Sequence, residues 1–251
     1  CGKVDVFPIT SDMLRIYCYG MTAFNYFGTF PYDCIWLRNK EMHSFLKKLS
    51  TRYKYDLLHV DTIGLFQYVD LFPQTPIVLN HHNIESSMMF KRVQNESNRI
   101  KKFYFRKEFG KLKEYERFVC PKCAMNLVVS DMDAMRLKEN VGSVNIAVVP
   151  NGVDVEYFQS RKDAGINHGG IIFAGTMDWY PNRAAVLYLL TEILPKLREN
   201  GIDMPVTIVG RNPFKELIAM AARDSRISVP GFVDDVRPYI ESADIYICPI
   251  R

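Results

Sequence analysis

One short stretch of the chain concentrates groups that can do chemistry. Ile77-Val78-Leu79-Asn80 reads as a buried strand, and His81-His82-Asn83-Ile84-Glu85 follows at once. Two imidazoles, an amide and a carboxylate therefore stand at a strand's carboxyl end, the edge where α/β proteins keep their ligand groups. Histidine donates, accepts or carries a proton near neutrality. His82 is the candidate for direct work on a substrate, with Asn83 and Glu85 as binding groups. The plainer alternative has one imidazole packed and the other in solvent, and His81 is the weaker functional candidate. His-x-x-Glu and His-His spacings here match no established metal-ligand pattern, and no second ligand cluster is visible, so no metal is expected.

Three glycine-bearing segments form a second group. Gly175-Thr176-Met177-Asp178-Trp179-Tyr180-Pro181-Asn182-Arg183 joins an apolar strand to a helix. Pro181 suits a helix's first turn, where free N–H groups and the helix dipole can receive a phosphate and Arg183 could add charge. An ordinary capped connection would read the same way. Gly210-Arg211-Asn212-Pro213 repeats the arrangement after the next strand, and Gly231-Phe232-Val233 follows the third as a possible floor for a base. Three such loops on one sheet edge suggest a nucleotide, although none is a P-loop.

These groups need elements to hold them. Strands are expected at Val4–Ile9, Leu57–Asp61, Ile77–His81, Asn126–Ser130, Ile146–Val149, Ile171–Gly175, Pro205–Val209, Ile227–Val229 and Ile245–Pro249. Most are short β-branched runs without alternation, as in a parallel sheet buried on both faces. Helices are expected between them, among others at Glu41–Ser50, Ala184–Asn200 and Phe214–Asp224, with Gly201 capping the second. The alternation means α/β with parallel sheets. A tight turn at Asn151-Gly152 and a fresh start at Gly169-Gly170 suggest two Rossmann-like lobes, residues 1–158 and 159–251, with ligands in the cleft between them. A (β/α)₈ barrel competes on length but ranks lower, because no closed set of eight units can be counted. The chain begins without Met and ends at a strand's exit loop, so it reads as a fragment missing structure at both ends.

Composition narrows the class. In 251 residues, 48% are hydrophobic and 24% charged, enough for a real core. A formal charge of +4 is too small to argue for nucleic acid. Six scattered cysteines, mostly in apolar segments, suit a reducing compartment, and the chain is read as cytoplasmic. Cys120-Pro-Lys-Cys123 lacks the second pair that a zinc site needs and is expected to be inert. No apolar run is long enough to span a bilayer. Residues 86–119 form a helical insertion of about 50 Å if unbroken, and a break or bend is expected. Its bases, from Lys91 to Arg117, outnumber Glu96, Glu108, Glu114 and Glu116, and aromatic residues interleave with them. That pattern is a solvated basic face with an aromatic core face, or a surface for anionic lipid.

Taken in order, the segments resemble a retaining glycosyltransferase of the GT-B fold, in family 4. The similar pieces are His-Asn-Ile-Glu at 82–85, Val-Val-Ser-Asp at 128–131, Pro-Asn-Gly-Val-Asp at 150–154 with Phe158, and Phe-Ala-Gly-Thr-Met-Asp-Trp-x-Pro-Asn at 173–182. Ile-Val-Gly-Arg-Asn-Pro at 208–213, the Pro-Gly-Phe-Val-Asp-Asp-Val-Arg-Pro-Tyr run at 230–239 and Ala-Asp-Ile-Tyr-Ile-Cys-Pro at 243–249 complete the set. The resemblance implies an acceptor lobe followed by a lobe holding a nucleotide-diphosphate sugar, with a glycan or lipid-linked acceptor and no metal or other cofactor. His82 would touch the transferred sugar, and Ser130, Asn151 and Gly152 would line the cleft. Residues 175–182 would face the diphosphate, and Gly231–Val233 the base. Thr176 and Asn182 stand where many members carry Arg and Lys, which leaves the diphosphate's cation unassigned. The family's glutamate pair would lie beyond Arg251 and its N-terminal Gly-rich loop before Cys1, so the piece itself is expected to be inactive. A nucleotide-sugar epimerase of the same fold, or a two-lobed sugar-binding protein without catalysis, would share much of this pattern.

Overall fold

The computed structural model describes residues 4–9, 20, 25–159 and 169–250. It comprises two compact units that meet in the chain at Gly152–Val153, rather than at the Phe158 expected. Each has its own sheet and its own core.

The first unit runs α1 (Tyr32–Trp36), α2 (Lys40–Arg52), β1 (Leu58–Asp61), a 3₁₀ segment (Ile63–Leu71) and β2 (Ile77–His81). It continues with α3 (Glu85–Asn95), α4 (Arg99–Val119), a 3₁₀ turn (Cys120–Lys122), β3 (Met125–Val128), α5 (Asp131–Val141) and β4 (Ile146–Val148). The strands form one parallel sheet in the order β1-β2-β3-β4. Val60, Leu79 and Val128 bury against Ile63, Phe66, Ile84, Tyr115, Val119 and Leu137. Each large apolar side chain removed from water contributes about 1.5–3 kcal/mol.

The helical insertion breaks at a polar point, as its length required. Asn98 accepts hydrogen bonds from the N–H groups of Ile100 and Lys101 at 3.0 and 3.1 Å, and so starts α4 as a separate helix packed on α3. The strand expected at Val4–Ile9 is not formed. Val4 and Val6 are 77% and 85% exposed, with no sheet neighbour to cover them. The strand entry read at Cys1–Lys3 lies outside the described residues.

The second unit runs β5 (Ile171–Ala174), α6 (Tyr180–Tyr188), a π turn (Leu189–Ile193), α7 (Leu194–Glu199), β6 (Val206–Val209), α8 (Lys215–Arg223), β7 (Ile227–Gly231), α9 (Arg237–Glu241) and β8 (Ile245–Tyr246). Its parallel sheet has the order β7-β6-β5-β8. Phe173, Val206 and Ile208 pack on Val186, Leu189, Leu194 and Leu217. The single helix expected over Ala184–Asn200 is interrupted by the π turn. Pro195 brings no N–H to the helix ladder, and a widened turn before it absorbs the missing bond. Gly201, at φ +76°, closes the helix as expected. Its N–H donates to Arg198 O at 3.0 Å and that of Ile202 to Leu197 O at 2.9 Å.

The turn expected at Asn151-Gly152 is displaced. Residues 151–154 are irregular, and the chain turns over Val155–Phe158. Asp154 drives this, its carboxylate accepting from the N–H groups of Glu156 and Tyr157 at 3.1 and 2.9 Å. Two separate open sheets among the described residues exclude the closed barrel.

Candidate functional site

Side chains alternate across a strand, and this sorts the two histidines. His81 points inward, 3% exposed, with Nε2 3.2 Å from Asn126 Oδ1 on β3. Burial pushes its pKa down and keeps it neutral. His82, one residue past β2, is outside. Its Nε2 lies 2.9 Å from Asp61 Oδ1 at the carboxyl end of β1. The same carboxylate oxygen accepts from Asn80 Nδ2 at 2.7 Å. The Asn80 bond, with help from the His82 imidazole, holds Asp61 below the usual carboxylate range. Sequence reading missed Asp61. It ends a strand at the same edge, but only the pairing of Asp61 with Asn80 across β1 and β2 places it beside His82.

Ser130 follows β3 at this edge and caps α5. Its Oγ accepts from Asp133 N at 3.2 Å and donates to Asp133 Oδ2 at 2.7 Å. Asn83 is half-buried between His82 and α3. Glu85 opens α3, and its carboxyl is pushed up to about 7, first by burial and then by the nearby Asp33 and Glu116. A carboxyl raised this far above 4.5 stabilises the fold below pH 4.5, and that contribution is lost as pH climbs through 7. Glu85→Gln should therefore match the wild type near pH 4.5 and be more stable at pH 8, on the order of 2 kcal/mol. Urea unfolding at both pH values checks this; an unchanged difference between them would place the titration elsewhere.

In the second unit, β5 lies between β6 and β8, so the strand order reverses there. Such switch points are where open α/β sheets receive ligands. Two exit loops pack at this point at backbone distance. Gly210 has φ +149°, and a Cβ added there would lie 1.8 Å from Gly175 O. Met177 N donates to Arg211 O at 3.1 Å, and Gly175 N to Val209 O at 2.9 Å. Asn182 folds back over Gly175, its Nδ2 donating to Thr176 O at 3.0 Å. Asn212, in the left-handed region at φ 58°, donates to Asp178 Oδ2 at 2.5 Å.

Pro181 stands in the first turn of α6, whose N-terminus no side chain caps. Arg183 is engaged elsewhere, paired with Glu216 at 3.0 Å and stacked over Phe214 at 4.7 Å. Arg237 is held by Asp235 and Tyr157. Arg211 is exposed and makes no ion pair among the described residues. Gly231, at φ +80°, ends β7. Phe232 beyond it is 69% exposed, an aromatic face open to solvent, and Val233 is half-buried. Trp179, 43% exposed before α6, is a second such face that sequence reading passed over. Asn151 and Gly152 are exposed in the irregular segment that ends the first unit. Gly152 has neither a positive φ nor a neighbour that a Cβ would meet.

A cavity of about 640 Å³ in the first unit, between α2, the 3₁₀ segment and the end of α4, is lined by none of these groups. Cys120 and Cys123 are buried free thiols, and burial raises both, Cys123 to about 12. Thiols held so far from the thiolate form are unreactive. Among the described residues, no group of three or more His, Cys, Asp or Glu side chains is arranged for a metal ion.

Comparison with known proteins bears on both units. Residues 21–157 match the family described as Glycosyltransferase Family 4, and residues 168–251 the one described as Glycosyl transferases group 1. The phosphatidyl-myo-inositol mannosyltransferase of Mycobacterium tuberculosis is 32% identical over 134 residues, 51% of this chain and 34% of that one. The protein of the same name in Mycobacterium bovis matches equally. The chain thus spans about a third of the length of these relatives. Among solved structures, sucrose-phosphate synthase of Thermosynechococcus elongatus aligns over 84% of this chain and 54% of its own, at a TM-score of 0.65 and 14% identity. S. aureus TarM, solved with Fondaparinux, alpha-GlcNAc-glycerol and UDP, aligns over 81% and 38%, at 0.55 and 14%. At such identities the likeness establishes the fold, α/β of the GT-B class with parallel sheets. Since the first family match alone takes in residues 21–157 of 251, the chain belongs to glycosyltransferase family 4.

Proposed function

We propose that this chain is part of an enzyme that moves a glycosyl group from a nucleotide-diphosphate sugar to a hydroxyl of a glycan or lipid-linked acceptor, with retention at the anomeric carbon. The observation that carries the reading is the backbone-tight packing of the Gly175 and Gly210 loops where the second sheet's strand order reverses. Only glycine allows that approach, and the N–H groups of Gly175, Gly210 and Met177 are used in bonds that fix the loops, which leaves donors such as Arg211 on a rigid backbone at the edge. In this reading the Gly175–Asn182 and Gly210–Arg211 loops take the diphosphate, and Phe232 offers its ring to the base. Departure of the diphosphate leaves negative charge, which fixed donors of this kind stabilise without reorganising. Arg211 replaces the cation for which Thr176 makes no provision. His82 contacts hydroxyls of the transferred sugar.

The names of the relatives support the substrate classes, as a mannosyltransferase named for a phosphoinositide acceptor and a structure solved with UDP. A donor screen on the full-length protein with UDP-, GDP- and ADP-sugars tests the reading through release of nucleoside diphosphate and the configuration of the product. No release with any donor would overturn it. Retention of the nucleotide-sugar in epimerised form, with no glycosylated product, would favour the epimerase. With an active donor, His82→Ala should lower turnover about 100-fold, the scale of losing one positioned hydrogen-bonding group. His81→Ala should instead lower stability and leave turnover per folded molecule nearly intact. Equal effects on turnover would remove the assignment of His82.

In this reading the enzyme works at the cytoplasmic membrane face, bound peripherally through α4. Of the acids in the insertion, Glu108 and Glu116 are turned into the core, so the outer face is more basic than its composition suggests. Arg99, Ile100, Phe103, Arg106 and Lys107 share that face by helical spacing, with Ile100 83% and Phe103 59% exposed. Among the described residues no helix is long and apolar enough to cross a membrane. Each base near an anionic surface is worth about 1 kcal/mol, so Arg99→Ala with Arg106→Ala should weaken binding to phosphatidylglycerol vesicles about 30-fold. Equal sedimentation with phosphatidylcholine vesicles, or no effect of the double change, would exclude this surface.

A further inference from the structure

We propose that Asp61 is a positioning residue that fixes His82 as its Nε2–H tautomer and so presents Nδ1 as a hydrogen-bond acceptor. In consequence, and resting on the transferase reading, His82 receives a hydrogen bond from a sugar hydroxyl rather than donating one.

The argument starts from one oxygen. Asp61 Oδ1 lies 2.9 Å from His82 Nε2 and 2.7 Å from Asn80 Nδ2. A carboxylate only accepts, so the ring nitrogen facing it must carry the hydrogen, and in a neutral imidazole the other nitrogen then keeps its lone pair. Three features hold the carboxylate in place. The parallel register pairs Asp61 with Asn80, directly before the two histidines. Asn80 keeps the carboxylate ionised and oriented by its own bond. Thr62, the next residue, stands at φ 115°, a conformation that a β-branched residue adopts only when its surroundings enforce it. Stability does not account for the pair. The side chains of His82 and Asp61 are 54% and 59% exposed, and ion pairs in that setting are worth little. What the pair does set is which nitrogen faces outward.

The test reads the tautomer directly, by two-bond ¹H–¹⁵N correlation of ¹⁵N-histidine-labelled protein at about pH 8, where an ordinary imidazole is neutral. The wild type should show His82 protonated on Nε2. Asp61→Ala should shift it to a mixture or to the Nδ1–H form, whereas Asp61→Asn, which keeps an accepting oxygen, should retain Nε2–H. The buried His81 reports whether the fold is intact; if its signals are lost in Asp61→Ala, Asp61→Leu, which keeps the shape without an acceptor, takes its place. An unchanged His82 tautomer in the variant lacking the acceptor overturns the proposal, as does a wild type protonated on Nδ1. This readout needs no substrate, so it stands or falls apart from the donor screen. With an active donor, Asp61→Ala should lower kcat ~10–100-fold with little change in the donor's KM, the range for loss of a carboxylate that orients a histidine, and Asp61→Asn should recover most of the loss. A rise in KM together with the fall in kcat, without recovery, would mark Asp61 as a direct substrate contact instead.

Discussion

Gly210→Ala should lower stability by roughly 2–4 kcal/mol and abolish donor binding. The new Cβ would lie 1.8 Å from the Gly175 carbonyl oxygen, and that neighbour is backbone with nowhere to rotate. The φ of +149° is itself strained for any side chain. To relieve the clash the two loops must part, breaking the bonds from Gly210 N to Gly231 O and from Met177 N to Arg211 O. Strain of 1–3 kcal/mol and about 0.5 kcal/mol for each of the two lost bonds give the range. Two other glycines calibrate it. Gly231→Ala meets nothing within 4 Å but keeps a φ of +80°, and should cost about 1 kcal/mol. Gly152→Ala meets nothing and needs no left-handed backbone, so its effect on stability should fall within about 0.5 kcal/mol. Urea unfolding of the three variants gives the order. A Gly210 variant as stable as the wild type would show that the loops do not pack as described.

Glu108→Ala should be more damaging still, at about 3–5 kcal/mol. Glu108 and Lys111 form a buried pair at 2.8 Å, with side chains 3% and 8% exposed. The carboxylate also accepts from Asn25 Nδ2 at 2.7 Å and from Tyr32 N at 2.9 Å, and so ties residues 25–32 to α4. Removing it leaves the Lys111 ammonium in the interior without its counter-ion, bonded only to Asn25, and takes away the acceptor of Tyr32 N. Replacing both charges, Glu108→Leu with Lys111→Met, should recover most of the loss, because a paired buried charge is costly mainly when its partner is taken away. Thermal melts should show the single variant down by roughly 10 °C and the double variant close to the wild type. Similar losses in both would mean that packing, rather than charge, is at stake there.

Both effects rest on contacts that no local pattern announces. Glu108 and Glu116 sit among many bases in a helix and read as solvated charges. Their burial follows from α4 turning one face to α1, α3 and α5, where Ser86 and Asn140 satisfy Glu116. Arg183 follows Asn182 in a loop suited to phosphate, yet Glu216 on α8 takes its guanidinium. Asn151-Gly152 is a strong turn signal in sequence, but the Asp154 side chain draws the turn to later residues.

Other features were legible from local rules alone. Short β-branched runs gave Ile77–His81 to the residue, and other strands to within one or two positions at most ends, since a strand buried on both faces needs nothing but apolar side chains. Pro181 and Gly201 marked the start and stop of a helical stretch because each restricts or frees its own φ.

By itself, then, the amino-acid sequence determined the alternation of strands and helices, the two sheets and the glycine-bearing loops at strand ends. Those depend on residues within a few positions of one another. Only the tertiary structure decided that Asp61 meets His82, that Gly210 lies against Gly175 and that the acids of α4 face inward. Such partners are separated by many residues, and strand register and helix rotation bring them together only once the whole sheet has formed.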